Sequence, residues 1–219
     1  MISDDPVLRR LEEYIRGKIQ LRLETLNVSF EDLLNAPPEF RPEDLDDPSF
    51  YARYRAFLLL KESYKKPVAL AVLYFFENKL GYVINEMYFH DLIAGSPAWE
   101  HGVSGRDIDY VLVINKKPDL EIVKRIETYL DDTVGAAITN FFFKKGLCNC
   151  TTPFNKLIKH NLVELHVILP REKASYGLNG SFHSVPIEKA NLEKYRKRIR
   201  EMMKHLHEKM DYFENYMDL

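Results

Sequence analysis

Gly95-Ser96-Pro97-Ala98-Trp99-Glu100-His101-Gly102-Val103-Ser104-Gly105-Arg106-Asp107-Ile108-Asp109 runs directly into the apolar stretch Tyr110-Val111-Leu112-Val113-Ile114. The stretch is long enough for a buried strand, and the strand begins at Asp107. Side chains alternate along a strand, so Asp107 and Asp109 share a face at its start, close enough to hold one divalent ion between them. Two neighbouring carboxylates need a counter-charge. Hard oxygen donors suit Mg²⁺ or Mn²⁺, ions commonly held by one or two carboxylates together with substrate phosphates. Upstream, Met87 to Ala94 is a short apolar and aromatic strand that stops at Gly95, where glycine permits a tight turn. Pro97 can open a helix, and the backbone N–H groups after Gly95-Ser96, with the Ser96 hydroxyl, can then face an anion such as a phosphate.

Downstream, Pro118 to Asp131 carries Leu120, Val123, Ile126, Tyr129 and Leu130 at helical spacing, which predicts a crossover helix on the sheet. Leu162 to Leu169 is a third strand. Glu164 lies within it, in Leu162-Val163-Glu164-Leu165-His166-Val167-Ile168, where an acid among apolar neighbours is costly unless paired or metal-bound.

At these residues the chain resembles the DNA polymerase β-like nucleotidyltransferase superfamily, in its minimal form. That signature is Gly-Ser, about ten residues, then Asp-x-Asp on a strand, and here Pro97 to Arg106 fill a gap of ten. The family's third acid lies on a later strand after a helix, the place Glu164 occupies. The resemblance spans roughly residues 67–170. It implies an α/β (α+β) fold with a small mixed β-sheet core packed with helices. It further implies that Asp107, Asp109 and Glu164 are catalytic and ligate metal, with Glu164 beside the attacking hydroxyl. Gly95 and Ser96 would hold the terminal phosphates of the nucleotide. Arg106 can pair with the acids or with a phosphate. The implied reaction moves an NMP group, AMP from ATP first of all, to an acceptor hydroxyl and releases pyrophosphate, with Mg²⁺ or Mn²⁺ as the metal. The chain departs from small family members in having Pro97, Ala98 and Trp99 where an arginine usually follows Gly-Ser, and in having glutamate as the third acid.

The remainder frames this core. Pro6 to Leu26 places Leu8, Leu11, Ile15, Ile19, Leu23 and Leu26 on one helical face. Ala36 to Pro48 holds four prolines among acids and predicts a connector. A second helix is expected from Phe50 to Lys66, started by Asp47-Pro48-Ser49. Pro67 to Leu80 is apolar on nearly every side and fits a buried helix, although a strand fits the same pattern. Ser175 to Ser184 is a glycine-containing loop, and Pro186 opens a terminal helix with Leu192, Tyr195, Ile199, Met202, Leu206, Met210 and Phe213 as its apolar stripe. The other face of that helix, with Lys194, Lys197, Arg198, Arg200, Lys204 and Lys209, is expected to be solvated. The division is thus a helical N-terminal extension at 1–66, a nucleotidyltransferase-like core at 67–170, and a C-terminal loop and long helix at 171–219.

Composition limits the function classes. The 219 residues are 46% hydrophobic and 29% charged, with 31 basic against 33 acidic side chains and a net charge of -2, which fits a globular chain and argues against wholesale coating of nucleic acid. No apolar run approaches the ~20 residues that cross a bilayer. The N-terminus lacks the pattern of a signal peptide, so a cytoplasmic location is expected. Cys148 and Cys150 give no disulfide framework. Combined with His160 and His166 they offer a zinc set, but Cys-x-Cys lacks the spacing of zinc knuckles. The acidic connector makes a small molecule or a protein a better acceptor than long nucleic acid. A homodimer or a protein partner is compatible with the helical ends. The alternative reading is a catalytically weak or inactive nucleotidyltransferase-like protein-binding module or antitoxin.

Overall fold

The structure is a computed structural model that describes residues 5–35, 47–90, 107–158, 161–176, 178 and 188–217, without the side chains of His90 and of residues 207–217. Helix α1 spans Pro6–Thr25. Its first turn is set by Asp5, whose carboxylate accepts from the backbone N–H groups of Val7 at 2.8 Å and Leu8 at 3.2 Å, while Pro6 occupies the first helical position, where no N–H is required. The short helix α2, Phe30–Leu34, was not foreseen; Ser29 and Asp32 form a capping box at its start.

Helix α3 covers Pro48–Leu73 and runs through Pro67, so the helices expected at 50–66 and 67–80 are one element. Proline removes one hydrogen bond from an interior turn. Burial compensates here, because Pro67 and every residue from Val68 to Phe76 are packed in the core. The chain then widens into a π-helical turn, Tyr74–Lys79, and leaves it at Gly81, whose φ of 70° lies in the left-handed region that glycine adopts without strain. The Tyr74 hydroxyl donates to Asp5 at 2.9 Å and Lys79 pairs with the same carboxylate, which fastens the end of α3 to the start of α1.

Strands β1 (Ile84–His90), β2 (Ile108–Ile114), β3 (Val163–Ile168) and β4 (Glu188–Lys189) form one sheet in the order β3-β2-β1-β4. β1 pairs antiparallel with β2 and β4, whereas β2 and β3 are parallel. The fold is therefore the mixed α+β architecture expected. A parallel pair needs a crossover, supplied by α4, Leu120–Lys144. This helix is far longer than residues 118–131 and absorbs the aromatic run Phe141-Phe142-Phe143. One sheet face, with Met87, Phe89, Ile108, Tyr110, Leu112 and Leu165, joins the helices in the main core. The other carries a small cluster of Tyr88, Val111, Val113 and Ile168, flanked by Tyr176 and Leu178.

β3 is an edge strand, and its outward donors are covered by acids of α4. Glu127 accepts from Leu165 N–H at 2.8 Å, and Asp131 accepts from Leu162 N–H at 2.6 Å and Val163 N–H at 3.2 Å. After the short helix α5 (Phe154–Leu157), β3 and a 3₁₀ turn (Pro170–Tyr176), the chain reaches β4 and then α6, Leu192–Met217. The terminal helix thus begins at Leu192 and not at Pro186, because Glu188 and Lys189 are drawn into the sheet beside β1. Leu192, Tyr195 and Ile199 bury the stripe against the rest of the core, and the described cations of the opposite face are exposed. The connector residues 36–46, strand residues 91–94 and most of the loop at 175–184 lie outside the described residues. Among the described residues no helix is long and apolar enough to cross a membrane.

Candidate metal centre

Parallel pairing builds the site. Asp109 on β2 is in register with Glu164 on β3, and Val111 with His166, so a β2 carboxylate and a β3 carboxylate sit side by side with an imidazole one pleat further along. These residues lie on the sheet face that carries the small cluster, away from the main core. Asp109 is only 6% exposed. His166 Nε2 stands 3.6 Å from Asp109 Oδ1 and 3.6 Å from Glu164 Oε1, and one donor atom from each of the three residues lies within 4.8 Å of the others. The edge of the Tyr176 ring packs on the imidazole, with centroids 5.6 Å apart. Among the described residues this Asp-Glu-His group is the cluster of three or more ligating side chains that could hold a metal ion.

Asp107 precedes β2 and is half-buried. Its carboxyl shares a side-chain hydrogen bond with that of Glu164, a contact that draws Asp107 down and pushes Glu164 up. The three acids read from the sequence are thus gathered at one end of the sheet. The tight donor set, however, comprises Asp109, Glu164 and His166, with Asp107 reaching it through Glu164.

The electrostatics call for a cation. Burial, and then the charge of Asp109, pushes the Asp107 carboxyl above the usual carboxylate range, against the pull of the Lys61 cation. Glu164 is likewise raised, chiefly by burial and further by Asp109 and Asp107, while His166 draws it down. Burial alone would depress His166, yet the surrounding Asp109, Glu164 and Glu127 outweigh it and raise the imidazole. Glu127, the acceptor for Leu165 N–H, is itself raised by burial and by Glu164. Three acids converge on one imidazole, and the buried ammonium of Lys61 on α3 lies near Asp107.

Gly95, Ser96 and Arg106, expected to cradle phosphates, lie outside the described residues, as do Trp99 and His160. Residues 91–106 connect β1 to β2 at the sheet end where His90 pairs with Asp109. Cys148 and Cys150 are free thiols directed at carbonyls of their own loop, at Cys150 and Thr152, and take no part in the ligating group. The sequence pattern offers His166 only as a zinc partner of those cysteines and gives no sign of Lys61. The Glu-x-His spacing on β3 was the available signal, since residues two apart on a strand share a face. Compared with family models, curated proteins and solved structures, the chain matches none.

Proposed function

We propose that the protein is a metal-dependent nucleotidyltransferase that moves an NMP group, AMP from ATP first of all, to an acceptor hydroxyl and releases pyrophosphate. The observation that carries this reading is the registered pairing of Asp109 with Glu164, with Asp107 hydrogen-bonded to the same glutamate, at one end of a mixed sheet. The Gly-Ser-x10-Asp-x-Asp spacing supports it from the sequence side.

The donor chemistry fits a divalent ion: carboxylates crowded beyond what their own environment favours, with an imidazole beside them. Asp109, Glu164 and His166 would hold it, with Asp107 completing the oxygen donors. Mg²⁺ or Mn²⁺ bound there would supply positive charge to lower the hydroxyl pKa and stabilise the phosphoryl oxygens. The acceptor oxygen would form a bond to the α-phosphorus as its proton is released to solvent, the bond from that phosphorus to the bridging oxygen would break, and the electron pair would leave with pyrophosphate. Glu164 stands on the edge strand, where an acceptor hydroxyl can approach, and its carboxylate can orient that hydroxyl. Asp109, buried in the second strand, fixes the charge against which the triphosphate is positioned. Gly95 and Ser96 would grip the terminal phosphates. Little covalent work is left to the protein, and positioning with preorganised charge dominates. The acceptor class this reading favours is a small molecule or a protein.

Thermal unfolding with each of the four NTPs, with and without Mg²⁺ or Mn²⁺, tests the proposal on wild type and on Asp107→Asn, Asp109→Asn. A nucleotide at 100-fold over Kd adds ~2.7 kcal/mol, and for this chain length each kcal/mol raises Tm by about 2–4 °C. A metal-dependent shift with an NTP, absent in the double variant, is the expected result. No shift with any NTP overturns catalysis and leaves the interaction-module reading.

A further inference from the structure

We infer that His166 is a metal ligand, and that with Asp109 and Glu164 it makes this centre a site for a first-row transition ion of the Mn²⁺, Co²⁺ or Zn²⁺ class in preference to Mg²⁺. The inference deepens the proposed function and rests on it for what the ion does, but not for whether the ion binds.

The imidazole is shared evenly between the two carboxylates, its Nε2 standing 3.6 Å from Asp109 Oδ1 and 3.6 Å from Glu164 Oε1. That is the spacing of neighbouring donors around one ion. With metal–ligand bonds of about 2.1 Å, adjacent donors lie ~3.4 Å apart around a tetrahedral ion and ~3.0 Å apart around an octahedral one. The observed 3.6 Å separations fall beside the tetrahedral value. A Cα-level constraint backs this spacing, because Asp109 and Glu164 are fixed by strand register and His166 follows Glu164 at the next position on the same face. The Tyr176 ring limits the swing of the imidazole.

The donor types point the same way. Mg²⁺ demands near-ideal octahedral geometry, prefers oxygen, and keeps several waters. Neutral imidazole nitrogen is a ligand of first-row transition ions, and two carboxylates balance the charge of a divalent one. A site that commits one of three protein donors to nitrogen, with both imidazole–carboxylate edges near the tetrahedral length, discriminates against Mg²⁺.

The test is metal binding in the absence of nucleotide. Calorimetric titration of the full chain with Mn²⁺, Zn²⁺ and Mg²⁺, and the visible absorption of bound Co²⁺, are measured for wild type, His166→Ala and His166→Asn. Wild type is expected to bind Mn²⁺ at least about tenfold more tightly than Mg²⁺, with Zn²⁺ tighter still, and to give Co²⁺ the intense bands of a four- or five-coordinate ion. Both variants are expected to lose about tenfold or more of Mn²⁺ affinity and to change the Co²⁺ spectrum. Pulsed EPR of Mn²⁺ in wild type reads the same contact without a substitution, as coupling to imidazole ¹⁴N. Variants that bind Mn²⁺ and Co²⁺ as wild type does, or a wild-type Mn²⁺ signal without ¹⁴N coupling, overturn the inference while leaving a carboxylate site for nucleotidyl transfer. Imidazole coordination with no response to any NTP upholds the inference and overturns the nucleotidyltransferase reading.

Discussion

Replacing Glu164 by glutamine separates the cost of the site from its use. The Asp109 and Glu164 donor atoms lie within 4.8 Å, and two unit charges at that distance repel by ~3.5 kcal/mol at an effective dielectric of 20. Glu164 is 43% exposed on its side chain, so solvent screening removes much of this, and losing its attraction to His166 removes more. A net gain of ~1 kcal/mol remains for the glutamine variant in metal-free buffer, or about 2–4 °C in Tm. Adding a transition ion inverts the order. At 100-fold over Kd, wild type gains ~2.7 kcal/mol, about 5–11 °C, and the variant, with one ligand neutral, gains little. The assay is thermal unfolding at pH 7.5 in chelator and then in excess Mn²⁺ or Zn²⁺. A glutamine variant less stable than wild type in chelator refutes the repulsion argument, and a full metal shift in the variant refutes ligation by Glu164.

Two further outcomes follow from groups outside the centre. Glu86 accepts from Lys173 at 2.8 Å and from the Tyr88 hydroxyl, which with the nearby charge of Lys189 holds its carboxyl down at about 2. Because that lies below the ordinary 4.5 of the unfolded chain, the stabilisation is complete above pH 4.5 and is lost as pH falls from about 4.5 toward 2. The side chain is 26% exposed, so ~1–2 kcal/mol is at stake. Urea midpoints of wild type should decline through this window while those of Glu86→Gln stay flatter, and parallel slopes would contradict the assignment. Asp131→Ala strands three N–H groups, those of Leu162 and Val163 and one of the two on Asn155 Nδ2, whose other N–H stays on Asp132. At about 1–3 kcal/mol for each buried group left unpaired, a loss of 3 kcal/mol or more is expected. Amide exchange at Leu162 and Val163 should accelerate beyond the global change, and unchanged local protection would mean that water replaces the carboxylate.

Periodicity revealed α1, β2 and β3 almost to the residue, because each buries a regular face and is bounded by a capping residue or a polar one. Elements went astray where tertiary packing overrode local signals. Pro67 ordinarily marks a helix boundary, but the segment around it is buried on all sides and hydrophobic packing outweighs one lost hydrogen bond. Pro186 pointed to a helix start. Glu188 and Lys189 instead pair with Phe89 and Tyr88, and a two-residue strand leaves no period to detect. The continuation of α4 beyond Asp131 passes through Thr133, Gly135 and Thr139, poor helix formers whose positions are fixed by contacts with the loop and α5, including the Thr139 hydroxyl on Gly135 and Thr152 carbonyls.

The site was legible to the extent that it is written within single strands. Asp107 and Asp109 declare themselves by alternation, and Glu164 by being an acid in an apolar run. Their meeting depends on register between β2 and β3, whose paired starts Ile108 and Val163 lie 55 residues apart, and no local pattern encodes it. A slip of one residue would carry Glu164 to the helix-packed face and bring Val163 and Leu165 to the acids. Register here is held by burial on the opposite face and by Glu127 and Asp131, which bind Leu165, Leu162 and Val163 amides. Those two α4 carboxylates therefore do at a distance what the centre needs, fixing β3 lengthwise so that Glu164 and His166 both fall beside Asp109. His166 is the residue that this alignment adds, and its position follows from the same constraint that places Glu164. A substitution at Asp131 should consequently weaken metal binding as well as the fold, although no atom of Asp131 belongs to the ligating group.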